Sequence, residues 1–175
     1  MNGGDPTAVD DPEHLVGYIM KQTVPKFAKI LGLVVTDQFG SLTVDLTRPD
    51  YLKVPSAKSV TGPPPPLVDP TLNHFKCYKV KHGVRRIPLV TIVDEFGSLN
   101  LQVRKGLRLC VPADKNGEGI NDPQIPLMCY VVKPAVGQPR FHPSVDTIYV
   151  DNQFGSTSYR VDHLRELCVP ATLGP

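Results

Sequence analysis

The stretch Val93-Asp94-Glu95-Phe96-Gly97-Ser98 decides the fold, because two close copies of it occur elsewhere in the chain. The copies are Thr36-Asp37-Gln38-Phe39-Gly40-Ser41 and Asn152-Gln153-Phe154-Gly155-Ser156. Fourteen residues after each Phe lies a fixed position, followed by Val-Pro and a small residue; it is occupied by Lys53, Cys110 and Cys168. The chain is therefore predicted to consist of three tandem units of about 50 residues, a period typical of repeat-built folds.

Each copy of the stretch is predicted to form a tight turn between two strands. An Asx side chain two residues before the Phe can accept a backbone hydrogen bond, and the Gly after the Phe can adopt a positive φ. Apolar residues alternate with polar ones beyond the turn, as in Leu42, Val44 and Leu46, which is typical of a half-buried strand. The residues assigned to the three turns are Asp37, Phe39, Gly40, Asp94, Phe96, Gly97, Asn152, Phe154 and Gly155.

Three units of about four short strands predict an all-β fold. Sheets of this size cover their edges by folding into a β-sandwich or closing into a barrel, and we favour the sandwich. A β-trefoil is the alternative, because three units of four strands match its symmetry. The expected organisation is a flexible N-terminal segment (1–12), repeat 1 without cysteines (13–61), a proline-rich connector (62–73), repeat 2 (74–116), a linker (117–126) and repeat 3 (127–175).

The four cysteines are predicted to form one disulfide in each of the last two units. Units two and three carry Cys at both the opening and the closing position, whereas unit one has Gly17 and Lys53 there. Joint absence is what a bonded pair predicts, so we pair Cys77 with Cys110 and Cys129 with Cys168. Two such bridges indicate an oxidising compartment: extracellular, periplasmic or at the cell surface. Four reduced, buried cysteines in a cytosolic protein are the alternative.

Positive charge is concentrated in the second unit. Residues 74–116 contain nine Lys or Arg against three Asp or Glu, a net charge of +6, whereas the whole chain carries only +2. This asymmetry predicts either a solvated sheet face or a surface that binds an anionic glycan or the acidic units of a second copy. Nucleic acid is a less favoured partner. The candidate basic face comprises Lys76, Lys79, Lys81, Arg85, Arg86, Arg104, Lys105 and Arg108.

Sequence motifs for catalysis are missing. The chain contains no GxSxG, HExxH, P-loop, GxGxxG or EF-hand pattern, and we predict no catalytic residue, cofactor or metal site. His142, Asp146 and His163 lie within one unit and are the minimum from which acid–base chemistry would be built. No apolar run is long enough for a membrane span.

The segments Phe75-Lys76-Cys77-Tyr78-Lys79-Val80, Asp94-Glu95-Phe96-Gly97 and Leu109-Cys110-Val111-Pro112 also carry a family resemblance. They resemble a domain of unknown function in secreted bacterial and archaeal proteins, in which a CYKV…DQFG…LCVP module recurs in tandem. The resemblance covers residues 74–171 and weakens in unit one, which lacks the cysteines. It implies export and disulfides, and it implies no activity.

The expected function follows from these points. We expect a non-catalytic extracellular β-repeat module with a structural or adhesive role. Self-association into a homo-oligomer or polymer would join basic repeat 2 to acidic repeats 1 and 3. The alternative is a module that binds an anionic glycan or another cell-surface ligand through the basic face.

Overall fold

The protein is an all-β molecule whose strands form one antiparallel sheet. The computed structural model describes residues 11–174, so all but two residues of the predicted flexible segment 1–12 lie outside the described residues. The ten strands are β1 (Glu13–Ile19), β2 (Ile30–Asp37), β3 (Gly40–Ser59), β4 (Phe75–Lys81), β5 (Ile87–Asp94), β6 (Gly97–Pro112), β7 (Leu127–Pro134), β8 (Thr147–Asp151), β9 (Thr157–Arg160) and β10 (Glu166–Leu173). None of the described residues forms a helix that could cross a membrane.

The three predicted units share one strand plan. Each has an opening strand (β1, β4, β7), a hairpin strand (β2, β5, β8) and a closing strand (β3, β6 and, in the third unit, β9 with β10). In units one and two, the last two of the four predicted strands are joined into one continuous strand. β-Bulges in β3 and β6 allow each strand to continue past the residues where its pairing register shifts. Ten strands therefore replace the expected dozen.

The three turns have the predicted geometry. The backbone N–H of the Phe donates to the Asx Oδ1 over 2.7 Å at Asp37, 2.9 Å at Asp94 and 2.9 Å at Asn152. The following glycines have φ of 103°, 119° and 103°, in the region that side chains rarely adopt. The turn prediction is confirmed in all three units.

The opening and closing strands of each unit pair in one register. Gly17 lies opposite Lys53, Cys77 opposite Cys110, and Cys129 opposite Cys168. Both cysteine pairs are bonded as predicted, and the described residues contain no free cysteine. The three fixed positions found in the sequence are thus equivalent in space.

The first and third units are joined by a reciprocal exchange. The end of β10 pairs with β2, where Ala171 lies opposite Asp37, and the end of β3 pairs with β8, where Ala57 lies opposite Asp151. The pairs β2–β10, β10–β7, β7–β6, β6–β4, β4–β3 and β3–β2 form a closed circuit, from which β1, β5, β8 and β9 branch. The result is sandwich-like. The exchange is twofold and omits unit two, so the threefold β-trefoil is not observed.

Tyrosines of the opening strands take part in the same exchange. The Tyr130 hydroxyl donates to Asp37 Oδ2, and its ring lies 5.7 Å from the Phe39 ring. Reciprocally, Tyr18 bonds Asn152 and its ring lies 4.8 Å from that of Phe154. The turn Phe in units one and three therefore packs on another unit.

Replacing Asp37 by Ala is expected to destabilise the protein more than replacing Asp94 by Ala. Both changes remove the turn hydrogen bond, worth about 1 kcal/mol. Only the Asp37 change also leaves the fully buried Tyr130 hydroxyl without its acceptor, which adds about 1–3 kcal/mol. Urea denaturation of the two variants measures the difference. Equal losses would contradict this role of the Asp37–Tyr130 contact.

The strands in the middle of the sheet are buried on both faces. The larger cluster lies between these strands and the hairpins of units one and two; its fully buried members include Val35, Val44, Leu101, Val103, Leu109, Met128 and Tyr130. The smaller cluster surrounds the disulfides and contains Phe75, Cys77, Cys110 and Cys129, with Leu15, Tyr51, Leu127 and Cys168 packed against it. Cys110 Sγ lies 3.9 Å from Cys129 Sγ, so the two bridges are neighbours across the strands.

Candidate functional site

A basic cleft of about 460 Å³ lies between the loop after β4 and strands β6 and β7. It is lined by Val84, Arg85, Arg86, Arg104, Lys105, Val131, Val132 and Lys133. Five of these eight residues carry a positive charge and none carries a negative one. Within residues 11–174, none of the five forms an ion pair.

Two glycines hold the walls of the cleft together. The Gly106 N–H donates to the Gly83 carbonyl over 2.6 Å, which fixes the loop after β4 against β6. A Cβ at Gly106 would lie 2.5 Å from Met128 Cε and 3.2 Å from that carbonyl, so only glycine fits without displacement. The basic side chains beside these glycines are therefore presented by a closely packed backbone.

Arg85 differs from the other four cations of the cleft. Its guanidinium donates to the Phe39 carbonyl and, over 3.0 Å, to the Ser41 carbonyl, so it holds the first turn in place. Arg86 and Lys105 are exposed, and Arg104 is half-buried. The binding capacity of the cleft therefore depends on Arg86, Arg104, Lys105 and Lys133.

The structure divides the predicted basic face. Arg85, Arg86, Arg104 and Lys105 come together in the cleft, whereas Lys79 and Arg108 line a separate cavity of about 740 Å³. Lys76 Nζ lies 5.5 Å from the Tyr78 ring, and the exposed Lys81 lies opposite Asp45. Lys133 was missed because it belongs to the acidic third unit. Lys133 reaches the cleft only through a long-range strand pairing, in which it lies opposite Gln102 of β6.

Arg108 is not part of an exposed face. It is 2% exposed, its Nη1 lies 3.2 Å from Glu166 and its Nη2 3.6 Å from Asp50. Its guanidinium also stacks 3.8 Å from the centre of the Tyr51 ring. Burial raises the pKa of Asp50, and the positive charge of Arg108 opposes that rise. Arg108 is therefore the centre of a buried charged cluster.

Lys53 connects this cluster to the third unit's disulfide. Its ammonium lies 3.0 Å from Glu166 Oε1 and 3.0 Å from Cys168 Sγ. In the first unit, the closing position therefore carries a cation that contacts the bridge of the third unit. We define the buried charged cluster as Asp50, Lys53, Arg108 and Glu166. From the sequence, Lys53 was recognised only as the closing position of unit one, where the other two units have a cysteine.

The residues considered for acid–base chemistry are not joined. His163 Nδ1 lies 3.0 Å from Asp162, and both side chains are exposed. No hydrogen bond or ion pair connects His142, Asp146 and His163 to one another in the described part of the chain. The arrangement gives no support to a catalytic role for these three side chains.

The sequence of the chain matches a family of repeats. A family model described as a repeat of unknown function (DUF7450) matches residues 18–170. The chain belongs to this family. No curated protein and no solved structure matches it. The match includes the turns of all three units. The family assignment carries no activity.

Proposed function

We propose that this DUF7450 chain is a non-catalytic extracellular module that binds an anionic glycan in its basic cleft. The observation that carries the proposal is the set of five cations around a cavity of about 460 Å³ with no carboxylate in its lining. Like charges brought together without counter-charges repel one another, and a bound anion relieves that repulsion. An adhesive role, the broader expectation from the sequence, follows if the glycan belongs to a cell surface.

The kinds of cation favour carboxylate or sulfate groups as ligands. Arg86 and Arg104 offer planar guanidinium groups that bind such anions through paired hydrogen bonds, and Lys105 and Lys133 add point charges. The apolar lining residues Val84, Val131 and Val132 suit the less polar face of a sugar ring. The two disulfides support the extracellular setting, because such bonds persist in oxidising compartments.

Reversing two charges of the cleft is expected to weaken glycan binding strongly. The variant Arg104→Glu/Lys105→Glu should raise the Kd for a sulfated or carboxylated polysaccharide at least about tenfold, equivalent to about 1.4 kcal/mol. Heparin and polygalacturonate serve as the sulfated and carboxylated probes in isothermal titration calorimetry. Binding should also weaken as salt concentration rises, because the contacts are solvent-exposed ion pairs.

The matched control is Arg140→Glu/Arg160→Glu, which changes the net charge equally at exposed positions outside the cleft lining. This control should bind nearly as tightly as the unmodified protein. Equal weakening by both double variants would show attraction to net charge and not to the cleft. Failure of every anionic polysaccharide to bind at low salt would overturn the proposal.

A further inference from the structure

The outer edge of β5 is the one hairpin-strand edge that the described chain leaves unpaired. Strand β2 pairs with β3 and β10, and β8 pairs with β9 and β3. Strand β5, their equivalent in unit two, pairs only with β6 within residues 11–174. In two of the three units another extended segment of the chain therefore covers this edge. The equivalent edge of β5 is therefore expected to accept an extended strand as well.

The uncovered edge presents both backbone hydrogen-bonding groups and apolar side chains. Asp94 and Gly97 close a two-residue turn, so alternation along the hairpin directs the N–H and C=O groups of Thr91 and Val93 away from β6. Leu89 and Val93 are 58% and 66% exposed. The residues equivalent to Val93 are the polar Thr36 and Asp151. Unpaired edges with exposed apolar residues are sites of strand addition.

The burial of the inward-facing residue one position earlier in each hairpin strand also indicates a missing strand beside β5. Val35 of β2 and Val150 of β8 are each 1% exposed, and both belong to strands paired on two edges. Ile92 of β5 occupies the same position and remains only half-buried. An additional strand along β5 would bury it as its counterparts are buried.

We propose that the β5 edge pairs with β5 of a second copy, antiparallel, about a twofold axis at Thr91. The ends of β3 and β10 are already paired within the chain. The segment after Pro112 is folded into a turn, in which Glu118 N donates to Lys115 O over 3.2 Å and Gly119 N donates to Asp114 over 3.1 Å. Strands β1 and β9 also have one unpaired edge within residues 11–174, but pairing β5 with either would join unlike edges and leave a free edge on each copy for further copies. A β5–β5 contact is twofold and closes without forming a fibre, so we take β5 itself as the partner in the second copy.

The sequence of β5 is complementary to itself in this register. With Thr91 opposite Thr91 of the second copy, Leu89 of each strand lies opposite Val93 of the other. The contact therefore contains two Leu89–Val93 pairs and covers both exposed apolar residues of each copy. In this register Asp94, at the end of one strand, lies near the end of the other strand that carries Arg86, whereas Glu95 is already paired with Lys58 of its own chain. Pro88 has no N–H and limits the pairing to the residues after it.

Sedimentation velocity of the ligand-free protein tests this interface. We expect a reversible equilibrium between the 19.2 kDa monomer and a dimer. Val93→Lys should raise the dimer Kd at least tenfold, because it places two ammonium groups at the contact. The matched control is Val136→Lys, since Val136 is 89% exposed in the loop after β7 and should leave the equilibrium unchanged. Circular dichroism confirms that both variants fold.

Cysteine cross-linking tests the register. Thr91→Cys should form a covalent dimer on oxidation, because the new thiols of the two copies face each other. Leu89→Cys alone should cross-link poorly, but an equimolar mixture of Leu89→Cys and Val93→Cys should form the mixed dimer.

A protein that is monomeric at all concentrations would overturn the inference, as would a dimer insensitive to Val93→Lys or open chains of increasing mass. Because no ligand is present, these results are independent of glycan binding in the cleft.

Discussion

Replacing Cys129 and Cys168 together by alanine is expected to lower the free energy of unfolding by about 4 kcal/mol. The bond closes a segment with a sequence separation of 39 residues, and loop closure of this length restricts the unfolded chain by about that amount. Cys129 is fully buried, and Cys168 Sγ is a neighbour of the Lys53 ammonium. The change therefore also affects the contact between units one and three. A loss of this size is a large part of the stability of an ordinary domain.

Urea denaturation of the double variant under non-reducing conditions measures this loss. The matched control is Cys77→Ala/Cys110→Ala, whose bridge spans 33 residues and occupies the equivalent register. Its loss should be of similar size, and reductant should lower the stability of the unmodified protein by more than either variant. Unchanged stability in reductant would contradict both the structural role of the bridges and the case for an oxidising compartment.

Replacing Arg108 by Ala is expected to cost about 3–5 kcal/mol at neutral pH. The substitution leaves the carboxylates of Asp50 and Glu166 without the cation between them, and it removes the guanidinium stacked on Tyr51. Breaking one partner of a buried ionic cluster costs more than the cluster itself contributes, because the remaining charges stay desolvated. Lys53 still contacts Glu166, so Asp50 is the carboxylate most affected.

The loss caused by Arg108→Ala should shrink as the pH falls. Burial already raises the pKa of Asp50, and loss of Arg108 raises it further. A carboxyl with a raised folded-state pKa contributes its full stability below its unfolded-state pKa of about 4 and loses that contribution as the pH rises. The destabilisation is therefore expected to be small near pH 4 and largest near pH 7.

Denaturation of Arg108→Ala and of Lys79→Ala across this pH range checks the expectation. Lys79 lies opposite Arg108 in the register but is exposed, and its charge acts on Asp50 less than that of Arg108, so its replacement should cause a much smaller loss with a weaker pH dependence. A loss for Arg108→Ala that stays constant from pH 7 to pH 4 would show that packing on Tyr51, and not the uncompensated carboxylates, dominates.

The turns and the disulfides were predictable because the signals for both lie within a unit. The Asx side chain, the Phe and the Gly form each turn by contacts over a few residues, and repetition in three units identifies them. Cys77 and Cys110 are equivalent to Gly17 and Lys53, so comparison within the chain revealed the pairing without any spatial information.

The exchange between units and the position of Arg108 were not predictable in the same way. Pairing of β10 with β2 depends on residues more than 130 positions apart, for example Ala171 and Asp37, and no local pattern encodes it. Arg108 looks like any surface cation by residue type. One signal was available: Arg108 lies two residues before Cys110, so strand alternation places both side chains on the same face of the sheet. This signal does not decide burial by itself, because Lys79 lies two residues after the buried Cys77 and is exposed.

The mutual coverage of β2 and β8 by segments from the opposite end of the chain also affects how this architecture can change in length. In an open solenoid each repeat contacts its neighbours only, so evolution adds or deletes one repeat at a time. Here, deletion of the last copy would strip a strand from the first, and insertion of a fourth would separate two segments that must meet. We expect natural length variants to gain or lose complete three-copy sets.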